Sequence, residues 1–552
     1  MRIVIVGGVA AGASAAARAR RLSEAAEIIL LERGPDVSFA NCGMPYYLGG
    51  EIADRDKLLV VKPELLAGRF RIDVRTRSEV VAIDRAQKIV QVRDLVHDRL
   101  DKIPYDKLIL ATGAEPLKPP IPGIDLPGVF TLRNLPDIDR IKAAIDCGPQ
   151  YAVVVGAGFI GLEMVENLVR RGVATTVVEL QDQVLPLLDP EMAVPIAEQL
   201  RMHGVKLRVD QSVAAIAPAD GGLEIHLSSG ERLSAQVVIL GVGVRPESKL
   251  AMAAGLEVGP RGGVKIDAHQ RTSDLDIYAA GDLVEVSCHV TGRPTQIPLA
   301  GPANRQGRIA ADHIFGRESR FRGSQGTAIV RVFELAAATT GLSEKTLRRA
   351  GVPFAKSYVH PNQHAGYFPG ATPMTIKLLF APSDGKLLGA QVVGGAGVAN
   401  RINVLAVALQ AGMTVFDLEE VELAYAPQFG SAKDAINMAG FVAANVLRGD
   451  CSQVYAEDLH ASAPGDPLGP FLVDVRTPAE FAAGAIPGFV NIPLDDLRAR
   501  IEEIPTARKV VVTCQAGQRG YYATLILKHA GRDAANLAGG YILYKRVHRQ
   551  PC

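Results

Sequence analysis

Two cysteines in this 552-residue chain stand where a thiol could act as a nucleophile. Cys42 lies in Ser38-Phe39-Ala40-Asn41-Cys42-Gly43-Met44-Pro45-Tyr46-Tyr47, and the next cysteine is Cys147. A thiol without a nearby partner cannot close an internal disulfide. It forms a mixed disulfide, a persulfide or a sulfenic acid instead, and a helix N-terminus or a bound cofactor could hold it as thiolate. Cys514 follows the apolar run Val510-Val511-Val512-Thr513 and opens the loop Gln515-Ala516-Gly517-Gln518-Arg519-Gly520. Successive loop N–H groups ahead of a helix cradle an anion, which favours thiolate and carries a terminal sulfur as persulfide. Arg519 adds charge to that loop. The plain alternative for either thiol is an inert buried cysteine. Cys147, Cys288, Cys451 and Cys552 have no comparable surroundings and read as structural or incidental. No CxxC occurs, so the usual zinc and dithiol spacings are missing and no metal site is expected.

Glycine loops supply the second kind of chemistry. YAVVV (151–155) runs into Gly156-Ala157-Gly158-Phe159-Ile160-Gly161, then a helix to about Arg171 and the strand ATTVVE ending at Glu179. The first glycine makes the turn, the second lets backbone approach a pyrophosphate, and the third lets helix pack on strand. A carboxylate at Glu179 accepts from ribose hydroxyls and repels a 2′-phosphate, which favours NADH over NADPH. The same order opens the chain: IVIV (3–6), Gly7, Gly8 and Gly12, a helix through about Ser23, and EIILLE (27–32) ending at Glu32. Val9 replaces the middle glycine there. Two such units predict two nucleotides bound face to face for electron transfer. Leu110-Ala111-Thr112-Gly113-Ala114 and Asp276-Ile277-Tyr278-Ala279-Ala280-Gly281-Asp282 each end a further strand, with Asp282 expected at the start of a helix.

The elements that must position these groups divide the chain. The expected fold class is α/β throughout, with 1–115 and 245–324 forming the first dinucleotide fold and 116–244 the second. Residues 325–450 mix strand-like runs (MTIKLLF, LLGAQVVGG) with helical ones and form an α+β domain. The segment 451–467, rich in Ala, Ser, Gly and Pro, reads as a linker, and 468–552 as a small α/β domain. A hydrophobic content of 48% with 22% charged residues excludes a disordered chain. A net charge of +1 gives no electrostatic basis for binding nucleic acid. No apolar run of about 20 residues predicts a membrane span, and the N-terminus lacks a signal-peptide pattern. The expected location is the cytoplasm.

Over about residues 1–447 this assembly resembles the flavoprotein disulfide reductases built on two glutathione reductase-like folds. The resemblance implies FAD at Gly7, Gly8, Ala11, Gly12, Glu32, Arg33, Ala111, Thr112, Gly113, Gly281 and Asp282, the aspartate bonding the flavin's ribityl chain; a simple helix N-cap is the alternative for Asp282. It implies NADH at Gly156, Gly158, Phe159, Ile160, Gly161, Glu179 and Gly243. The decade SFANCGMPYY resembles the coenzyme A-disulfide reductases, and NADH oxidases and peroxidases share its single cysteine. Ser14, Arg18 and Arg21 fall at i, i+4 and i+7 of the first helix. With Ser38, Asn41, Arg71, Asn304 and Lys433 they are implied to bind coenzyme A, the cations meeting its phosphates; solvated surface charge is the alternative. Tyr367 in HAGYFPG and Tyr425 in ELAYAPQFG are implied to reach from a partner subunit to the catalytic sulfur, which makes the active form a homodimer. Their alternative is ordinary packed tyrosine.

The last domain resembles a rhodanese, in FLVDVR, in GAIPGFVNIP with Ala485 where that family carries histidine, and in the Cys514 loop. One module moves sulfane sulfur and the other reduces a sulfur–sulfur bond. The expected function is an FAD-dependent NADH reductase of persulfides and polysulfides, coenzyme A persulfide included, releasing hydrogen sulfide beside a fused sulfurtransferase. Its substrates are small molecules. The same residues leave open a coenzyme A-disulfide reductase for thiol balance, an NADH oxidase or peroxidase, and a coenzyme A- or sulfur-responsive redox signalling protein.

Overall fold

A computed structural model describes residues 1–459 and 469–548. The chain divides into two compact units, Met1–Gln181 with His203–Gly326, and Asp182–Met202 with Thr327–Cys552.

The first unit holds both dinucleotide folds. In the first fold five parallel strands run in the order Ile277–Ala279, Lys107–Leu110, Arg2–Val6, Glu27–Leu31, Asp73–Arg75. Both faces of such a sheet are covered, so Ile3, Val4, Ile5 and Ile28–Leu31 are all buried. The helix Ala10–Leu22 lays Ala15, Ala16 and Ala19 on this sheet. The helix Ala300–Ile314 crosses it closely enough that a Cβ on Gly307 would strike the carbonyl of Ala11. The second fold repeats the plan in the order Lys206–Arg208, Ala174–Val178, Tyr151–Val155, Val237–Leu240, Val129–Thr131, all parallel. Short antiparallel strands Ala114–Pro116 and Val244–Pro246 pair where the chain passes between the folds.

In the second unit an antiparallel sheet runs Ala328–Val332, Leu335–Gly341, Leu387–Gly394, Met374–Phe380, Ala355–Val359. Every residue of its two central strands Met374–Phe380 and Leu387–Gly394 is buried, including Lys377. Lys377 Nζ stands 2.8 Å from Asp189, 2.6 Å from Glu191 and 2.8 Å from Glu344. A charge sealed in a sheet survives only when paired. That need draws the helix Pro190–Met202 into this unit, although its residues lie inside the range expected for the second dinucleotide fold. The same three carboxylates have metal-like spacing, and the Lys377 ammonium fills the cation position between them.

A second parallel sheet completes this unit, in the order Gln453–Val454, Ala534–Leu537, Val510–Thr513, Phe471–Asp474, Val490–Asn491. Its edge strand Gln453–Val454 corrects the linker expected over 451–467: the alternating Gln453-Val454-Tyr455 is short, but Val454 pairs with Leu537. The remainder of that expected linker, from 460, lies outside the described residues, as does Cys552. The small domain is packed, not merely tethered. Tyr358 of the antiparallel sheet joins Ala538 and Leu543 in one apolar cluster, and the Tyr455 hydroxyl donates to the carbonyl of Lys356 at 2.9 Å.

Candidate active site

Both glycine loops form as the spacing predicts. Gly7 and Gly156 have φ of +99° and +103°, a left-handed backbone that glycine alone adopts freely. A Cβ on Gly12 or Gly161 would strike the carbonyl of Gly7 or Gly156, which explains the third glycine of each loop. A Cβ on Gly158 would meet no protein atom within 4 Å, so space in front of that backbone is open. The acid at the end of each second strand holds its loop. Glu32 accepts from the N–H of Gly8 at 2.8 Å and of Gly34 at 2.7 Å. Glu179 accepts from Ala157 at 2.6 Å and Gln181 at 2.8 Å. Each carboxylate keeps lone pairs for a ribose.

Other residues of the first loop's surroundings converge. Ala111 lies against Gly7, whose Cβ would strike the Ala111 carbonyl. The Thr112 hydroxyl donates to the Glu247 carbonyl at 2.9 Å, and Gly113 takes φ +71°. In the second fold the Gly243 carbonyl accepts from Leu117 N–H at 2.9 Å. Arg33 is committed to Glu247 at 2.9 Å. Asp282 sits inside a single 3-10 turn, Gly281–Leu283, and caps no helix; its carboxylate has no hydrogen-bond partner among the described residues. That removes the helix-cap alternative. Desolvation pushes the Asp282 carboxyl up to about 6.

Cys42 occupies the 3-10 turn Asn41–Gly43 ahead of the helix Met44–Leu48. The Tyr46 hydroxyl donates to Glu163, on the helix that follows the second glycine loop, at 3.2 Å. The thiol therefore stands at the seam between the two dinucleotide folds. Cys42 has solvent-exposed surface, yet surrounding protein atoms crowd it enough to push its pKa up, and the carboxylates of Glu163 and Asp282 push the same way. The chain's own groups thus favour the thiol; the helix start expected to favour thiolate does not outweigh them.

The residues expected to hold coenzyme A separate into two groups. In the first unit the Ser14 hydroxyl donates to Asn304 Oδ1 at 2.6 Å, which brings together two positions 290 residues apart. Asn41 Nδ2 donates to the Arg133 carbonyl at 3.0 Å, and Ser38, at φ +48°, donates its N–H to the Gly8 carbonyl at 2.8 Å. Arg18 is bound to Asp312 at 2.5 Å and is not a solvated charge. Arg21 is exposed on the same helix. Arg71 ends the helix Pro63–Phe70 in the left-handed region, with Glu24 at 3.7 Å. In the second unit Lys433 is exposed, and the hydroxyls of Tyr367 and Tyr425 meet at 2.8 Å. Tyr367 is 75% exposed and Tyr425 48%, so neither packs as an ordinary core aromatic.

Cys514 is buried at the end of the strand Val510–Thr513, and the Gly517 N–H donates to its sulfur at 3.1 Å. Gly517, at φ +100°, starts the helix Gln518–His529. Arg519 pairs with Glu480 through two 2.7 Å bonds, which hold the Glu480 carboxyl down at about 2. Sequence reasoning missed Glu480 and the buried Asp474–Arg476 pair at 2.7 Å. The signal was present in Phe471-Leu472-Val473-Asp474-Val475-Arg476, where opposite charges close an otherwise apolar strand.

Residues 1–307 match the family model described as pyridine nucleotide-disulphide oxidoreductase, 327–435 its dimerisation domain, and 455–546 a rhodanese-like domain. The chain belongs to the pyridine nucleotide-disulphide oxidoreductase family, whose members use FAD and a nicotinamide dinucleotide, and it carries the family's dimerisation domain and a C-terminal rhodanese domain. It is similar to the structure described as reduced Bacillus anthracis CoADR-RHD, at 47% identity and TM-score 0.96, covering 99% of this chain and 98% of that one. An NAD-dependent persulfide reductase from A. fulgidus matches at 37% identity and TM-score 0.92, over 99% of this chain and 100% of that one. A coenzyme A disulfide reductase of Staphylococcus aureus is 35% identical over 444 residues, 80% of this chain and 99% of that protein.

The unpartnered Asp282 carboxylate and the open glycine loop fit a bound dinucleotide, and they carry a prediction. A carboxyl raised from 3.8 to about 6 binds its proton more tightly in the folded state, so its contribution is full below pH 4 and is lost as pH rises through 6. In the FAD-free protein, Asp282→Asn gains thermal stability over wild type between pH 4 and 7, by at most about 3 kcal/mol, since one pKa unit is about 1.4 kcal/mol. The same variant binds FAD more weakly. Melting curves at pH 4 and pH 7 with FAD titrations test both; a variant no more stable at pH 7 refutes the desolvated carboxylate.

Proposed function

We propose that the chain is an NADH-dependent reductase of persulfides and polysulfides, including coenzyme A persulfide, that releases hydrogen sulfide, with a rhodanese that handles sulfane sulfur. The carrying observation is that one chain holds a lone Cys42 at the seam of two dinucleotide folds and a second cysteine, Cys514, in a loop that donates an N–H to its sulfur. Bound FAD supplies the relay that takes a hydride from NADH and delivers its electron pair to a sulfur–sulfur bond. Cys42 Sγ attacks the sulfane sulfur of R–S–SH, the substrate's S–S bond breaks, and the RS⁻ thiolate leaves and takes up a proton as RSH. Two electrons and two protons then cleave the Cys42 persulfide to the thiol and hydrogen sulfide. The sum is RSSH + NADH + H⁺ giving RSH + H₂S + NAD⁺. With coenzyme A disulfide the same attack leaves a Cys42 mixed disulfide, and two coenzyme A thiols result; the likeness to the Staphylococcus aureus enzyme favours this as the second reading.

Ser14, Asn304, Ser38, Asn41 and Arg21 bind coenzyme A in this reading, with Arg71 and Lys433 near its phosphates. Arg18 acts through Asp312, holding the first helix against Ala300–Ile314. Two copies form the active dimer, and the exposed pair Tyr367 and Tyr425 completes the partner's Cys42 site, where a hydroxyl protonates the departing thiolate. Free thiols throughout the described residues agree with a reducing cytoplasm. The test is NADH oxidation with polysulfide, coenzyme A persulfide, coenzyme A disulfide and oxygen side by side. Persulfide turnover well above oxygen is expected; oxygen as the best acceptor overturns the proposal in favour of an oxidase.

Glu179 makes NADH the donor. Replacing it with Ser and Gln181 with Arg removes a ribose acceptor and supplies a cation for a 2′-phosphate. The kcat/KM ratio of NADPH to NADH rises by roughly 10- to 100-fold, the scale of one or two charged hydrogen bonds. A wild type that uses both donors equally refutes the ribose assignment.

A further inference from the structure

His360 follows the edge strand Ala355–Val359 of the antiparallel sheet, yet its ring is tied to the sulfurtransfer domain. Its Nε2 lies 3.2 Å from the carbonyl of Gly539, which comes just after the strand Ala534–Leu537. A carbonyl only accepts, so Nε2 carries the proton. Nδ1 is left as an acceptor, and the Thr375 hydroxyl stands 3.0 Å from it. The Thr375 oxygen in turn accepts from Arg546 Nη1 at 3.0 Å. Donors and acceptors close in one direction, from Arg546 through Thr375 and His360 to Gly539, and this fixes both the tautomer and the ring plane. Burial and the nearby Arg546 charge hold the imidazole's pKa down at about 3, so the ring stays neutral and keeps that tautomer.

The carbonyl that His360 grips belongs to the turn that supports the Cys514 loop. Gly539 and Gly540 take φ of +67° and +59°, two successive left-handed residues. A Cβ on Gly540 would strike the Cys514 carbonyl and come within 2.9 Å of Gly517 N and 3.0 Å of Ala516 N. Tyr541 N–H donates to the Cys514 carbonyl at 2.8 Å, and Ile542 N–H to that of Gln515 at 3.1 Å. On its outer side, a Cβ on Gly539 would lie 3.3 Å from His360 Nε2. The turn is thus clasped between His360 and the backbone that carries the sulfur nucleophile and the Gly517 N–H aimed at it. Glycine pairs are soft, and a turn of this kind holds its shape through what touches it.

We infer that His360, a residue of the dimerisation domain, is a positioning residue for sulfur transfer: through Gly539–Gly540 it sets the Cys514 loop in the geometry that receives and holds sulfane sulfur. The inference rests on the sulfurtransferase reading of Cys514. It also makes the second domain's chemistry dependent on a residue outside its own fold, which a free-standing rhodanese would lack.

The full-length protein tests it in two variants. His360→Leu keeps bulk and loses the donor; His360→Gln keeps an N–H able to reach Gly539. Two quantities are read: sulfur transfer from thiosulfate to cyanide, and the rate at which iodoacetamide alkylates Cys514, followed by mass spectrometry of its peptide. His360→Leu lowers transfer kcat by roughly 10- to 100-fold, the scale of a misplacement of about 1 Å at a reacting group, and changes the alkylation rate of Cys514. His360→Gln recovers most of both. Equal losses in the two variants overturn the inference, because the N–H donated to Gly539 then plays no part; a His360→Leu protein that matches wild type in both readouts overturns it as well, because the residue then only fills space. A wild type with no sulfur transfer refutes the sulfurtransferase reading instead, and the alkylation rates still decide the positioning of the loop.

Discussion

Cys42→Ser abolishes NADH-linked reduction of persulfides and of coenzyme A disulfide while FAD stays bound. A serine hydroxyl is far less acidic than a thiol and cannot form the sulfur adduct, so the rate falls by roughly 10⁴-fold or more, as when a covalent nucleophile is removed. FAD retention follows from the site's construction. The proposed contacts, the Gly7–Gly12 loop held by Glu32 and the Asp282 carboxylate, do not include the thiol. Visible absorbance of the purified variant gives flavin content, and stopped-flow mixing with NADH shows whether flavin reduction persists without turnover on sulfur. Full activity in this variant sinks the single-cysteine mechanism. Loss of flavin together with activity would instead make Cys42 part of the binding site.

Cys514→Ser removes sulfur transfer to cyanide by a similar factor, because the sulfur nucleophile facing the Gly517 N–H is lost. Reduction of small soluble persulfides at Cys42 continues, since these diffuse to it directly. Substrates whose sulfur is first captured at Cys514 suffer most. The domain's packing sharpens the experiment. Tyr358, Ala538 and Leu543 share one cluster, so the two modules are held together instead of joined by a bare tether, and a fragment cut at 468 loses the edge strand Gln453–Val454. The comparison therefore belongs in the full chain, with NADH oxidation and sulfur transfer measured in wild type and in each single variant. Loss of every reductive activity in Cys514→Ser, coenzyme A disulfide included, refutes independent access to Cys42. No change in either activity makes the rhodanese a docking module.

Much of the candidate site was legible because its signals are local. The turn, approach and packing glycines sit within six residues of one another, and the acid that holds each loop ends the next strand; Gly156–Gly161 with Glu179 shows this in one stretch of sequence. Cys42 and Cys514 stood out for the same reason, each inside a run of neighbours that the backbone alone arranges. The helix Ala10–Leu22 and the strands at 2–6, 27–31, 151–155 and 174–178 fall where the apolar runs flanking the glycine loops placed them.

What sequence could not supply was partnership over distance. Arg18 looked like a free cation on one helix face; Asp312, 294 residues on, neutralises it. Asp282, expected to bond the flavin, could equally have been a simple helix cap; the turn it occupies ends after Leu283 and leaves the carboxylate desolvated. Lys377 inside MTIKLLF demanded carboxylates, and only the fold shows that Asp189, Glu191 and Glu344 provide them and that the helix Pro190–Met202 comes with them. The polar start of the expected linker became a strand because Leu537 offered an unpaired edge. Local spacing determines backbone geometry through sterics and short hydrogen bonds, so it reveals where phosphates and thiolates can sit. Charge neutralisation and edge pairing are long-range. Their energy depends on groups that meet only after the chain has folded, and so the tertiary structure alone decided which cations are paired, which carboxylate is left desolvated, and which groups touch the turn beside the Cys514 loop.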